Sequence, residues 1–234
     1  MHREGQGHAR RAGKPEGGTR SSARLLVMLG IGAVVVAGLL VALSALAGGG
    51  RSEEDLGGIP QGGTTLGDAN AQVTIRLYED FQCPACGQFA RETLPEVIDR
   101  YVRSGDAKLV SETLAFLGPD SVTAARAALA AGEQDRYWPL ALLLFENQGA
   151  ENSGYVTDEF LTEQAEEVEG LDVTRWQEAR EKGYRDELGA VQRRAGEAGV
   201  DSTPSLVVSG PGGERLLRGA VPIEEVEAAV EVVR

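Results

Sequence analysis

Two cysteines, Cys83 and Cys86, are the only thiols in the 234-residue chain, and Pro84 and Ala85 separate them. At this spacing two sulfurs can close a small disulfide ring and open it again. The stretch Gln72 to Glu79 (QVTIRLYE) leads into them and alternates Val73, Ile75 and Leu77 with polar neighbours, which reads as a strand. A helical pattern follows to about Ser104, with Phe89, Leu94, Val97, Ile98 and Tyr101 on one stripe. Cys83 is therefore expected at a helix start, where unpaired backbone N–H groups and the helix dipole favour negative charge. Such a site lowers a thiol's pKa and supplies a thiolate nucleophile. Pro84 falls in the first turn, where its missing N–H costs nothing. Cys86, one turn on, faces inward and can attack a mixed disulfide to release a partner.

Spacing alone also admits half of a zinc site or a plain structural disulfide. Zinc takes four ligands, usually Cys and His. The only histidines are His2 and His8, so a zinc site would need a second chain. A ring this small removes little chain entropy and makes a weak staple. The same histidine count leaves no His triad and no His general base beyond the N-terminal tail.

The elements that must position the pair sit within a three-part chain. Residues 1–24 carry six basic and two acidic residues, a net of +4, and read as a basic cytoplasmic tail. Residues 25–47 (LLVMLGIGAVVVAGLLVALSALA) are uncharged, and a 23-residue helix is long enough to cross a bilayer. The expectation is a single transmembrane anchor with its N-terminus inside the cell. A signal sequence cleaved after Ala47 is the alternative, since Ala45-Leu46-Ala47 fits such a site. Residues 48–63 hold seven glycines and are expected to be a flexible linker. Residues 64–234 then form the folded, extracytoplasmic part. The overall charge of −13 and pI near 4.7 argue against nucleic-acid binding.

Within that part, Gly105 is placed to stop the first helix, Pro95 to kink it, and Ala107 to Phe116 to form a second, parallel strand. Helical segments follow at Asp120 to Ala131, with Ser121 or Asp120 as cap, then Arg136 to Asn147, from Thr157, and Asp172 to Ala198. Trp138 and Trp176 lie among apolar residues at helical spacing and read as core. Ser205 to Ser209 is a strand, Gly210 to Gly213 a hairpin turn, Glu214 to Gly219 the return strand. A last helix opens at Pro222 and turns Val226, Val230 and Val233 inward.

The stretch DFQCPACGQF, with LPEVIDRYVRSGDAKLV after it, resembles DsbA-like thiol:disulfide oxidoreductases of the thioredoxin superfamily. RAALAAGEQDRYWPLALLLFENQ resembles the helical insertion of that family, and GVDSTPSLVVSG its segment carrying a cis-proline. The resemblance spans about Thr64 to Arg234. It implies an α/β, thioredoxin-like fold with a helical insertion at about residues 119–198, here preceded by one N-terminal transmembrane helix. It makes Cys83 the nucleophile and Cys86 the resolving thiol. It makes Pro204 the cis-proline facing the sulfurs, with Thr203 offering its backbone to an extended substrate as an added strand.

No cofactor beyond the redox-active Cys83–Cys86 disulfide is implied, and no metal. The partners implied are exported proteins with thiols and a membrane redox partner that recycles the cysteines. Two departures bear on the chemistry. Many relatives carry a proton-shuttling acid six residues before the first cysteine, where this chain has Leu77; Glu79 lies on the same strand face, two residues on. Strongly oxidising relatives carry Pro-His between the cysteines, and Pro84-Ala85 lacks that imidazole. A reductase or isomerase, or a non-enzymatic chaperone-like module, are the alternative functions on the same fold.

Overall fold

The computed structural model describes residues 56–234. The expected membrane span at Leu25 to Ala47, the basic tail and the first half of the glycine-rich segment lie outside the described residues. Among the described residues no helix is long and apolar enough to cross a membrane.

The folded part begins earlier than Thr64. Leu56 and Ile59 are buried in the core, and β1 (Gln61–Gly62) pairs with β2 (Thr65–Leu66) in a small antiparallel hairpin. The second half of the segment read as a linker is thus ordered. Its glycine content hid two apolar anchors, and Gly63 supplies the left-handed turn (φ +55°) that any side chain would strain.

Six strands form one sheet in the order β1-β2-β4-β3-β5-β6. β3 (Val73–Glu79) is central and pairs parallel with β4 (Ala107–Thr113), with Leu77 opposite Ser111 and Glu79 opposite Thr113. β5 (Ser205–Gly210) runs antiparallel to β3, and β6 (Gly213–Arg218) folds back on β5. On one face Val73, Ile75 and Leu77 enter the main core with Leu109 and Leu206. On the other face Tyr78 packs with Val191, Ala195 and Val207. The C-terminal end of β3 is therefore covered on both sides, and whatever it carries there is kept from water.

α1 (Pro84–Glu92) starts directly after Cys83 and buries Cys86, Phe89 and Ala90. The expected single helix is in fact interrupted. α2 (Leu94–Val97) follows, then a π-turn at Ile98–Val102 closed by the Arg103 N–H on the Ile98 carbonyl at 2.8 Å. Pro95 is the cause: it has no N–H for the preceding turn, and its ring crowds the carbonyl it would have paired with. Gly105 ends the run in a left-handed conformation (φ +81°), as its position suggested.

The helical insertion between β4 and β5 contains α3 (Pro119–Gly132), α4 (Tyr137–Glu146), α5 (Asp158–Glu166), α6 (Val173–Arg180) and α7 (Arg185–Glu197). Asp172 to Ala198 is two helices rather than one, because Gly183 and Tyr184 both take left-handed backbone (φ +79° and +46°). The cap of α3 is Gly118, with Pro119 opening the helix, and not Ser121 or Asp120. Trp138 and Trp176 are core residues, and each indole N–H finds a backbone carbonyl, that of Thr64 at 3.1 Å and of Ala127 at 2.8 Å. α8 (Ile223–Val233) is capped by Pro222 and buries Val226, Val230 and Val233 completely. Burial on this scale contributes about 1.5–3 kcal/mol per side chain.

Candidate active site

β3 ends at Glu79, and the next three residues turn the chain into α1. Asp80 makes that turn. Its buried carboxylate accepts the Gln82 N–H (2.8 Å) and the Ser121 hydroxyl (2.7 Å) on Oδ1, and the N–H groups of Phe116 (2.9 Å) and Leu117 (3.1 Å) on Oδ2. The Asp80 carbonyl accepts the Cys83 N–H at 2.9 Å. Ser121, expected to cap α3, is used here instead.

Cys83 is the N-cap of α1, with extended backbone (φ −74°, ψ 116°) and Pro84 next in the first turn. Both cysteines carry free thiols; the Cys83 side chain is 8% exposed and Cys86 2%. The Cys83 thiol is pulled down from 9.0 to about 6, chiefly by a hydrogen bond from Cys86. A hydrogen bond from the Thr203 side chain and the backbone N–H groups of Cys86 and Ala85 add to this, and desolvation opposes it. Cys86 is pushed far above the ordinary thiol range, first by burial and then by its neighbour Cys83. The two sulfurs thus differ as an attacking and a held-back thiol must.

The Thr203–Pro204 peptide bond is cis, and the Thr203 carbonyl lies 3.4 Å from Cys83 Sγ, which donates to it as a thiol. Pro204 is buried where β5 begins, while Thr203 stays partly open to solvent. Cys83 and Thr203, 120 residues apart, therefore meet across one site.

Leu77 is fully buried and apolar, so nothing at that place can move a proton. Glu79 does lie inside, 2% exposed. Its Oε1 accepts the Ser111 hydroxyl at 2.6 Å and the Tyr137 hydroxyl at 3.3 Å. Tyr137 Oη in turn lies 2.5 Å from Ser111 Oγ and 2.6 Å from Thr113 Oγ1. Burial lifts the Glu79 carboxyl from 4.5 to about 7, the charge of Asp80 adds to it, and the two hydroxyls oppose it. The charge of Glu79 is felt at Cys86.

Residues of the insertion hold the turn from the other side. Gln148 Nε2 donates to the carbonyls of Phe81 (2.8 Å) and Cys83 (3.0 Å). The Asn152 N–H donates to Gln82 Oε1 at 2.8 Å. A Cβ at Gly87 would lie 2.2 Å from Gln148 Oε1, so the residue after Cys86 has to be glycine for this bridge to fit. Asp80, Gln148, Ser111 and Tyr137 were not marked as site residues by the sequence. The signal for Asp80 was its place at a strand end before the cysteines; Gln148, 65 residues away, had no local signal. Among the described residues no group of three or more His, Cys, Asp or Glu is placed to hold a metal.

Residues 60–231 match a family model described as "Thioredoxin". A "Probable disulfide bond formation protein D" of Bacillus cereus is 27% identical over 150 residues, covering 62% of this chain and 69% of that protein. The crystal structure of oxidised BdbD from Bacillus subtilis superposes with a TM-score of 0.64 at 20% identity, covering 74% of this chain and 96% of the other. A thioredoxin-like oxidoreductase from Silicibacter pomeroyi gives 0.60 at 27% identity, covering 76% and 95%. The paired thiols, the cis-proline opposite them and the helical insertion all sit within the matched region. The chain belongs to the thioredoxin family.

Proposed function

We propose that this chain is an extracytoplasmic thiol:disulfide oxidoreductase that forms disulfides in exported proteins. The observation that carries the reading is the asymmetry of the two thiols. Cys83, at about 6, is mostly thiolate at neutral pH, while Cys86 is buried and protonated. The relative from Bacillus cereus, whose name is a disulfide bond formation protein, supports the direction.

In the oxidised enzyme a substrate thiolate attacks Cys83 Sγ. The Cys83–Cys86 bond breaks, its electron pair goes to Cys86, and a substrate–Cys83 disulfide forms. A second substrate thiolate attacks the substrate sulfur of that bond, and Cys83 leaves as a thiolate. The substrate loses two electrons and two protons, and the enzyme holds the electrons as a dithiol. A low leaving-group pKa at Cys83 speeds the second step. Cys86 must gain a proton as it leaves, and Glu79, raised to about 7, is suited to give it. Thr203 and Pro204 bind the extended substrate backbone; Pro84 and Ala85 set the donors around the thiolate. The dithiol is reoxidised by a membrane redox partner, and residues 25–47 keep the enzyme beside it, with residues 1–24 in the cytoplasm.

One observation favours a second reading, a tethered reductase. Ala85 supplies no side-chain donor to the Cys83 thiolate, so the reduced form is less stabilised than in strong oxidants. The reduction potential in glutathione buffers decides. A value near about −120 mV marks a disulfide donor, and one near about −270 mV marks a reductase and overturns the proposal.

A further inference from the structure

Beyond the active-site turn, a cavity of about 330 Å³ opens between the loop after β4 and the start of α7. Leu114, Phe116, Val122 and Leu188 give it apolar walls, and Arg126 and Arg185 line the same space. None of the exchange steps uses it. Phe116 is 52% exposed, one of two large apolar side chains among the described residues that face solvent.

The cavity is tied to the site by short links. The Leu114 N–H donates to the Glu79 carbonyl at 2.7 Å, and the Phe116 N–H to the Asp80 carboxylate at 2.9 Å. Asp80 also holds the Cys83 N–H. Leu114 also packs against the apolar cluster of Tyr78, Val191, Ala195 and Val207 on that face of the sheet. The cavity wall at Phe116 and the backbone of Cys83 are thus held by the same residue, Asp80, through its carboxylate and its carbonyl.

Charge indicates the occupant. The chain has 36 acidic residues against 23 basic ones, yet the lining of this cavity includes two arginines and no carboxylate. Arg126 donates through Nε to the Gly183 carbonyl at 3.1 Å, which aims the rest of its guanidinium. Among the described residues neither arginine has a carboxylate partner. Uncompensated cations beside an apolar wall fit an acidic side chain next to an apolar one.

We propose that this groove binds the segment of a client protein that flanks its reacting cysteine, and that it selects an acidic residue adjacent to an apolar one. The inference rests on the oxidoreductase reading above for the identity of the client. The apolar side chain lies against Phe116 and Leu188, and the carboxylate meets Arg126 and Arg185. Selection by paired but half-open charges depends on salt, because counterions screen them.

The test uses the full chain in neutral detergent and two fluorescently labelled peptides. They differ only in carrying Asp-Phe or Lys-Phe beside a serine that replaces the reacting cysteine. Anisotropy titration at low salt is expected to show the Asp peptide binding about tenfold more tightly, as two partly exposed ion pairs supply. The gap should close at high salt in the unmodified chain, and it should vanish in the Arg126→Gln/Arg185→Glu double variant. Equal affinities at low salt, a gap indifferent to salt, or a preference that survives in the double variant overturns the proposal. The peptides carry no thiol, so this result stands apart from the redox one. Failure to oxidise a cysteine-bearing neutral peptide counts against the oxidoreductase reading alone.

Discussion

Gln148 holds the backbone of Cys83: its carboxamide nitrogen donates to the Cys83 carbonyl at 3.0 Å, and to that of Phe81 at 2.8 Å. The helical insertion is thus attached to the peptide groups that define the start of α1. Gln148→Ala leaves both carbonyls without this donor. A loss of about 1–3 kcal/mol in stability is expected. Because the N-terminal turn of α1 loosens, Cys83 should also move up from about 6 towards the ordinary thiol range. Thiolate absorbance against pH reads that shift, which a loss of stability alone would leave in place. Gln148→Glu, with an oxygen where the donor stood, should do no better than alanine.

The depressed Cys83 pKa makes the stability of the two redox forms depend differently on pH. Between about 6 and the unfolded thiol value near 9.0, the unfolded reduced chain holds a proton at Cys83 that the folded one has shed. Stability then rises with pH, by up to about 1.4 kcal/mol per unit from this group. The advantage is complete above the unfolded value and is lost as pH falls through about 6. Glu79 acts oppositely and in both redox forms. Its folded value near 7 exceeds its unfolded 4.5, so its contribution is lost as pH rises through about 7. Denaturant melts of reduced and oxidised protein, compared pairwise from pH 5 to 8, below the range where the unfolded Cys86 thiol also titrates, cancel Glu79 and isolate Cys83. A difference that does not grow from pH 6 to 8 contradicts the thiolate assignment.

Glu79→Gln keeps the volume and removes the titrating group. If the carboxyl gives Cys86 its proton, exchange at neutral pH should slow by about a hundredfold, the low end for general acid–base catalysis. The rate profile should also lose its inflection near 7. Ser111→Ala removes one of the two hydroxyls that oppose burial, so Glu79 and the inflection should move further up. A profile unchanged in both variants leaves Glu79 as a buried structural acid.

Cys86→Ser separates the roles of the two sulfurs. Its lone Cys83 thiolate, offered disulfide-bonded substrates, should form adducts that nothing within the enzyme can resolve. These are expected to accumulate as higher-mass species on non-reducing gels and to vanish with reductant. Cys83→Ser should give none, since Cys86 is buried and held protonated. Adducts that form through Cys86 reverse the assignment.

The sequence made the sheet and the reactive pair legible for local reasons. Val73, Ile75 and Leu77 alternate over one strand, and Cys83-Pro84-Ala85-Cys86 carries its helix start within itself. The meeting of Cys83 with Thr203 was reached through the family resemblance, since no local pattern joins residues that far apart. What stayed hidden depends on burial or on distant partners. Glu79 looks like a surface acid at a strand end until α4 places Tyr137 over it. Leu56 and Ile59 stand among glycines, and composition over the window outweighed them. Ser121 reads as a cap by its place before an alanine-rich helix, but a buried carboxylate 41 residues back competes for its hydroxyl.

That carboxylate, Asp80, joins the strand end, the loop after β4 and α3 through four hydrogen bonds in a fully buried place. Asp80→Ala strands three N–H groups and one hydroxyl where water enters poorly. Losing hydrogen bonds to a charged acceptor costs about 1.5–3 kcal/mol each in favourable cases, and the losses share one cavity, so a total of about 3–5 kcal/mol is expected. Asp80→Asn keeps one oxygen but turns an N–H donor towards other N–H groups, and should recover only part of the loss. Since Phe116 and Leu117 hang on Oδ2, both variants should also raise hydrogen exchange in residues 114–118 while leaving α8 protected. Uniform loss of protection across the chain would mean that Asp80 stabilises the fold as a whole rather than this junction.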